Sequence, residues 1–408
     1  MIRKKRSYRV KVGIIAAAVM LALLMMTIPV FAGGDTGGEV GGDIQTSGPV
    51  ASVDKLKESV KAKSAILIER SGGKVLYEKN PDEPLAPASI TKVMTMLLVM
   101  EGIDSGKITL EDKVTASEHA CSMGGSQIWL EPGETMSVHE LLMATAVASA
   151  NDAAVALAEY LAGSEDAFVV MMNERARELG MSNTNFMNAS GLDEEGHFSS
   201  ARDISTMAAE LLSHRKITEY TTIWMETLRN GETQLVNTNK LIRFYKGATG
   251  LKTGSTDEAG KCLAASAERD GMGIVAVVLG AENRDDQFGT AKVLLDYGFA
   301  NYTIAAVPSI DGELAPIKIA GGVKESIGVK YEAPKGLVLK KGTEKELVQE
   351  IEIAQKLKAP VKEGAEVGKV TIKAGEEVLG EYKLYAAESV GKMSFFRAFT
   401  LLYGELLK

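Results

Sequence analysis

Ser89-Ile90-Thr91-Lys92, Ser149-Ala150-Asn151 and Lys252-Thr253-Gly254 follow one another along the chain. Together they hold what is needed to activate a serine without a histidine. A serine hydroxyl is a poor nucleophile until a neighbouring base takes its proton. Lys92 stands three residues after Ser89, so on a helix the two side chains share a face. A lysine serves as a base only if its pKa drops well below the usual ~10.4, and burial or a second cation lowers it. Lys252 is the candidate second cation. Ser149 can relay a proton toward a leaving group. Asn151 can hold Lys92 and a substrate amide by hydrogen bonds. The run 245-YKGATGLKTGST-256 reads as a strand, which would offer the Ser255 N–H to an acyl oxyanion, with the Ser89 N–H as the second donor. Ser89 itself is expected at a helix N-terminus, where the backbone dipole favours developing negative charge.

Ser-x-x-Lys alone is a weak signal, since it starts at Ser52, Ser71, Ser89, Ser213 and Ser389. Three features select Ser89. Pro87-Ala88 stiffens the entry, the apolar run Val93 to Met100 supplies a buried helix behind it, and only this copy precedes the other two triplets at a domain-scale distance. Ser71-Gly72-Gly73 instead reads as a hairpin turn.

With these residues in place, the chain resembles the low-molecular-mass penicillin-binding proteins, the serine-type D-alanyl-D-alanine carboxypeptidase family. Ala86-Pro87-Ala88-Ser89-Ile90-Thr91-Lys92 resembles the family's nucleophile segment. Gly124-Gly125-Ser126-Gln127, Pro132-Gly133-Glu134, Gly191-Leu192-Asp193, Ser200-Ala201-Arg202-Asp203 and 250-GLKTGSTDEAG-260 extend the match over roughly residues 60 to 300, and a looser one continues to the C-terminus. The resemblance implies cleavage of the terminal D-alanine from a peptidoglycan stem peptide through an acyl-enzyme on Ser89, acylation of Ser89 by β-lactams, and no cofactor. It implies a substrate strand of Lys252, Thr253, Gly254, Ser255 and Thr256. One departure matters. Where the family carries an arginine for the substrate's terminal carboxylate this chain has Gln287, with Arg284 three residues earlier as the candidate replacement. Two rival functions follow: a β-lactamase, or a catalytically weak wall-binding or scaffolding protein. The first is disfavoured because no Glu-x-x-Leu-Asn string lies between Asn151 and Lys252. Gln287 is the main motive for the second.

A net charge of −8 argues against nucleic acid as partner, which wants a basic face. Cys262 sits in an apolar strand pattern and reads as a buried thiol rather than half of a disulfide with Cys121. His119, His139, His197 and His214 show no ligand spacing, so they read as ordinary polar or capping residues and no metal is expected.

The elements that must position these groups divide the chain. Residues 1–32 read as a signal peptide: a basic start, an apolar stretch from Gly13 to Thr27, and Val30-Phe31-Ala32 before the cut. The mature protein is therefore expected to be exported, at the extracytoplasmic face of the cell membrane. Residues 33–50, rich in glycine, read as a flexible linker. Residues 51–303 form the catalytic domain. A hairpin turns at Ser71-Gly72-Gly73, residues 90 to about 242 are mainly helical, strands run at Leu251–Thr253, Ala259–Glu268 and Met272–Gly280, and a helix closes at 288–300. The fold class is α/β: an antiparallel sheet with helices on its faces and a helical lobe, matching the β-lactamase/transpeptidase-like domain the resemblance implies. Residues 304–388 form a small β-rich domain. Residues 389–408 form an amphipathic helix whose Phe395, Phe399, Leu402 and Leu406 recur at helical spacing, suited to a membrane surface.

Overall fold

The computed structural model describes residues 6–8, 53–307, 310, 314–331 and 336–406. They fall into two compact units, one within Pro49–Ala305 and one within Ala306–Lys408 together with the N-terminal residues. The signal peptide and linker expected over 1–32 and 33–50 lie outside the described residues, apart from Arg6–Tyr8, a short strand paired antiparallel with Leu347–Ile353.

The first unit is built on five antiparallel strands. These are β1 (Ser64–Glu69), β2 (Val75–Lys79), β3 (Ala248–Thr256), β4 (Gly260–Arg269) and β5 (Met272–Ala281), in spatial order β2-β1-β5-β4-β3. The sequence explains the order. β1 and nearly all of β5 are continuous buried runs, as expected of strands covered on both faces. They lie inside, whereas β3 forms an edge. The hairpin expected around Ser71-Gly72-Gly73 is present as β1–β2. Helix α5 (Ala201–Ser213) packs on β1 and β5, and α6 (Arg284–Asn301) on β4 and β5.

Between β2 and β3 lies the helical lobe, centred on α1 (Lys92–Asp104), every residue of which from Lys92 to Met100 is buried. Around it stand α2 (Val138–Val147), α3 (Asn151–Ala162) and α4 (Glu165–Glu178). Side chains fix where these helices start. Ser137 and Glu140 form a reciprocal capping box at α2, Ser164 caps α4, and Asn283 caps α6, which makes Arg284 its first residue. The lobe is less uniformly helical than the apolar periodicity suggests. Two antiparallel strand pairs, Lys113–Thr115 with Thr135–Ser137 and Met225–Leu228 with Thr233–Val236, interrupt it. Strands of three or four residues are too short to register against a helical period.

The second unit carries a sheet in which β6 (Leu347–Ile353), β7 (Glu366–Ala374) and β8 (Glu377–Ala386) are successive antiparallel neighbours. A smaller sheet joins Ile317–Ala320 to Ser326–Ile327 and, in parallel, to Lys356–Lys358. The chain ends in α7 (Phe395–Leu406), with Phe395, Phe396, Phe399 and Tyr403 exposed. No helix among the described residues is long and apolar enough to cross a membrane.

Candidate active site

Ser89 does not start a regular α-helix. It lies in a 3-10 turn, Ala88–Thr91, that runs into α1 at Lys92. The residue before it, Ala88, has a positive φ of 48°, a conformation uncommon for a residue with a Cβ. Ser149 also has a positive φ, 64°, in the turn between α2 and α3. Both serines of the site thus sit on backbone that surrounding structure must hold in place.

Lys92 is wholly buried. Its Nζ lies 3.0 Å from Ser89 Oγ, 2.5 Å from Asn151 Oδ1 and 2.6 Å from the Ser190 carbonyl oxygen. Burial, and next the nearby charge of Lys252, push its pKa well below the usual lysine value, while Asp152 pulls the other way. Asn151 presents its oxygen to Lys92 because its amide nitrogen donates to the Gly124 carbonyl at 2.6 Å. Asp152, also buried, accepts from the backbone N–H groups of Ile128, Leu130 and Ala153. It thereby anchors the loop that brings Ser126 to the site.

Ser89, Ser126, Ser149, Thr238, Thr253 and Ser255 line a cleft of about 180 Å³. Edge strand β3 forms one wall. Lys252 lies wholly buried behind it, donates to the Thr253 carbonyl at 3.1 Å, and has its pKa pulled down to about 7 by burial. Gly254 allows the close approach. A Cβ there would stand 2.9 Å from the Pro87 carbonyl oxygen and 3.1 Å from the Ser89 nitrogen, so the strand can lie against the Ser89 turn only without a side chain. The Thr253 hydroxyl donates to that of Thr238 at 2.6 Å. Thr256, expected to bind substrate, accepts the Ala259 N–H at 3.0 Å at the β3–β4 turn. Its hydroxyl is not among the groups lining the cleft.

Lys261, Arg284, Gln287 and Phe288 also line the cleft. Gln287 is buried and donates to the Cys262 carbonyl at 2.6 Å. Lys261, across the ladder from Ser255, donates to the Ser255 hydroxyl at 2.5 Å. Among the described residues neither Lys261 nor Arg284 has a carboxylate within ion-pair distance.

Of the expected residues, Ser89, Ser149, Thr253, Gly254, Ser255 and Arg284 line one cleft, Lys92, Asn151 and Lys252 lie buried beside it, and Thr256 is not in its lining. Sequence reasoning missed Lys261, Asp152 and the Ser190 carbonyl. Cys262 is a buried thiol, its pKa raised to about 11 by burial. Three histidines make local contacts: His119 with Glu165, His139 with the Tyr220 hydroxyl, and His214 with Asp104. Among the described residues Glu101, Glu210 and His214 are grouped closely enough to hold a metal ion. Arg175 already pairs with both carboxylates, at 2.8 and 2.7 Å, so the group reads as an ion-pair network.

Comparison with known proteins matches residues 50–283 to the D-alanyl-D-alanine carboxypeptidase family model and residues 310–392 to the C-terminal domain of penicillin-binding protein 5. The chain is 46% identical over 351 residues to D-alanyl-D-alanine carboxypeptidase DacF of Bacillus subtilis, covering 85% of this chain and 90% of that one. It is 33% identical to DacC of Escherichia coli, covering 83% and 86%. Among solved structures, penicillin-binding protein 5 from Haemophilus influenzae matches with a TM-score of 0.76 and 30% identity, over 82% of this chain and 98% of that one. Penicillin-binding protein D2 from Listeria monocytogenes, solved in its cefotaxime-bound form, matches at 0.55 and 35%, over 59% and 98%.

Proposed function

The chain belongs to the D-alanyl-D-alanine carboxypeptidase family, and from that premise we propose how its own residues carry out the reaction. The protein is a serine-type D-alanyl-D-alanine carboxypeptidase. It removes the terminal D-alanine from a peptidoglycan stem peptide, and β-lactams acylate the same serine.

One observation carries the assignment of roles. A neutral amine has two N–H bonds and one lone pair. Two of the three neighbours of Lys92 Nζ, Asn151 Oδ1 and the Ser190 carbonyl, can only accept. Both N–H bonds are committed there, which leaves the lone pair facing the Ser89 hydroxyl. The depressed pKa of Lys92 favours this neutral form.

Lys92 takes the Ser89 proton as Oγ bonds to the carbonyl carbon between the two D-alanines. The Ser89 and Ser255 N–H groups face the oxyanion that forms. The C–N bond then breaks, and the departing D-alanine nitrogen receives the proton from Lys92 through Ser149. Water, deprotonated by Lys92, attacks the ester, and the released Ser89 oxygen regains a proton. Gln287 is committed to a backbone carbonyl, so the substrate's terminal carboxylate falls to Lys261 and Arg284, the two cleft cations that have no carboxylate partner among the described residues, with the Thr253 hydroxyl in the same cleft.

Mass spectrometry of a pentapeptide mimic ending in D-Ala-D-Ala tests the reading. The expected product is shorter by one alanine, with no release by Ser89→Ala. An intact peptide after incubation with folded protein would overturn it, and rapid turnover of penicillin would favour a β-lactamase.

The rest of the chain completes the proposal. Residues 1–32 act as an export signal, so the enzyme works at the outer face of the cell membrane. The exposed aromatic residues of α7 support its lying in the bilayer interface. Co-sedimentation with lipid vesicles should be lost on deletion of 389–408; retention would refute this role.

A further inference from the structure

We infer that His197 is a positioning residue for the nucleophile: through Thr91 it holds the Ala88 carbonyl, and with it the turn that presents Ser89. This rests on the assignment of Ser89 as nucleophile.

The hydrogen bonds fix the direction of the chain. The Met187 backbone N–H donates to His197 Nδ1 at 3.0 Å. A backbone N–H cannot accept, so Nδ1 carries no proton and the ring proton is on Nε2. Nε2–H therefore donates to Thr91 Oγ1, 2.8 Å away. The Thr91 hydroxyl, its lone pair so engaged, donates onward to the Ala88 carbonyl at 2.9 Å. Each link is directional, and the relay ends on the residue whose φ of 48° sets the orientation of Ser89.

The surroundings are built for it. His197 is 7% exposed and Thr91 fully buried, and Phe186 meets the imidazole edge-on at 5.9 Å. Burial lowers the His197 pKa to about 4, so the ring stays neutral, as the relay requires. The segment bearing His197 grips the same turn elsewhere. Gly191 is packed so tightly that a Cβ would stand 1.9 Å from the Ala88 carbonyl oxygen. The Ser190 carbonyl accepts from Lys92, and the Ala189 carbonyl from Thr91's neighbour one turn on, Thr95, at 2.7 Å. Nucleophile and base are thus aligned by one loop more than ninety residues away in sequence, with His197 as its side-chain contact to the nucleophile turn. A misplacement of about 1 Å costs up to ~100-fold in rate.

The test compares wild type, His197→Leu, His197→Gln, Thr91→Val and the His197→Leu/Thr91→Val double variant. The readouts are the second-order rate of acylation by a fluorescent penicillin, the labelled residue, and the melting temperature. His197→Leu and Thr91→Val should each acylate ~10- to 100-fold more slowly. The double variant should be no slower than the worse single one, because one chain of bonds is broken. His197→Gln, which keeps a donor and an acceptor, should recover most of the rate. Multiplicative losses, or folded His197→Leu acylating within twofold of wild type, would overturn the relay. Should His197→Leu fail to fold, nitrogen-15 shifts of the wild-type imidazole decide: a neutral Nε2–H tautomer supports the relay and an Nδ1–H tautomer overturns it. A folded wild type taking no label at Ser89 would sink the acyl-transfer reading itself, an outcome distinct from a labelled wild type with unaffected variants.

Discussion

The two units treat charge in opposite ways. Among the described residues, every buried charged side chain (Glu69, Lys92, Asp152, Asp203 and Lys252) belongs to the first unit. The second unit keeps its charges at the surface in pairs between neighbouring strands, such as Lys373–Glu350, Lys369–Glu381 and Lys383–Glu366. Burying a charge is costly unless partners compensate it, and the group lowers that cost by changing protonation. Surface pairs cost little and contribute little. The first unit thus holds lysines whose proton affinity has been altered, which is what base catalysis needs, while the second is an ordinary sheet scaffold.

The strongest test of that contrast is Lys92→Met. The substitution removes the proposed base and keeps the volume. Hydrolysis of the peptide mimic should fall by ~10³-fold or more. The unfolding free energy should move by less than ~2 kcal/mol, since loss of the three hydrogen bonds of Lys92 is offset by not burying an amine. Calorimetry beside the activity assay checks both. A variant that loses stability in step with activity would make Lys92 a structural residue.

A second test uses pH. Lys252 has a folded pKa of about 7 and an unfolded one near 10.5. Between those values the unfolded chain binds more protons than the folded one, so stability rises with pH across that window. The penalty for burying the charged form is fully present below about 7. Denaturant melts from pH 7 to 10 should show this rise in wild type and a flatter profile in Lys252→Met. Equal slopes would mean the lysine is not desolvated as the structure implies.

How much of this was legible beforehand depends on what carried the information. Ser89, Lys92, Ser149, Asn151 and Lys252 were readable because side-chain type and local spacing encode them. So were the hairpin at Ser71 and the strands β3 to β5, through turn residues and apolar runs. Groups that act across long sequence separations through backbone were not. The Ser190 carbonyl has no residue-type signature at all. Asp152 accepts backbone N–H groups from Ile128 and Leu130, in a loop more than twenty residues earlier, as well as from its neighbour Ala153. His197 looked like an ordinary polar residue because nothing in the sequence brings it to Thr91. Lys261 lies inside the strand expected over Ala259–Glu268, and only the β3–β4 register, which the sequence does not encode, sets it across from Ser255. Thr256, the last residue of β3, has a hydroxyl held by the Ala259 N–H of the following turn, a contact that the motif does not encode.

Lys261 also sharpens the comparison: among the described residues it has no carboxylate within ion-pair distance, whereas Lys324, Lys330, Lys369, Lys373 and Lys383 of the second unit each pair with a glutamate. Lys261→Met should lower kcat/KM by ~10-fold for a peptide ending in a carboxylate, about 1.4 kcal/mol. For the same peptide ending in a carboxamide the loss should nearly vanish. Equal losses on both would remove Lys261 from carboxylate binding and leave Arg284 alone with that task.

The smallest effect is expected at Lys373→Ala. Its ammonium lies 2.9 Å from Glu350, with both side chains about a quarter exposed (27%). Register places Lys373 opposite Val348 and Glu350 opposite Thr371, so the pair is a diagonal one across β6 and β7. Such contacts contribute up to ~1 kcal/mol, and salt screens the Coulomb part. Unfolding should therefore shift by less than ~1 kcal/mol in low salt and by less in ~0.5 M salt, with hydrolysis of a soluble peptide unchanged. A loss of several kcal/mol, insensitive to salt, would mean that the second unit also depends on a charge shielded from water, and the division of labour between the units would fail.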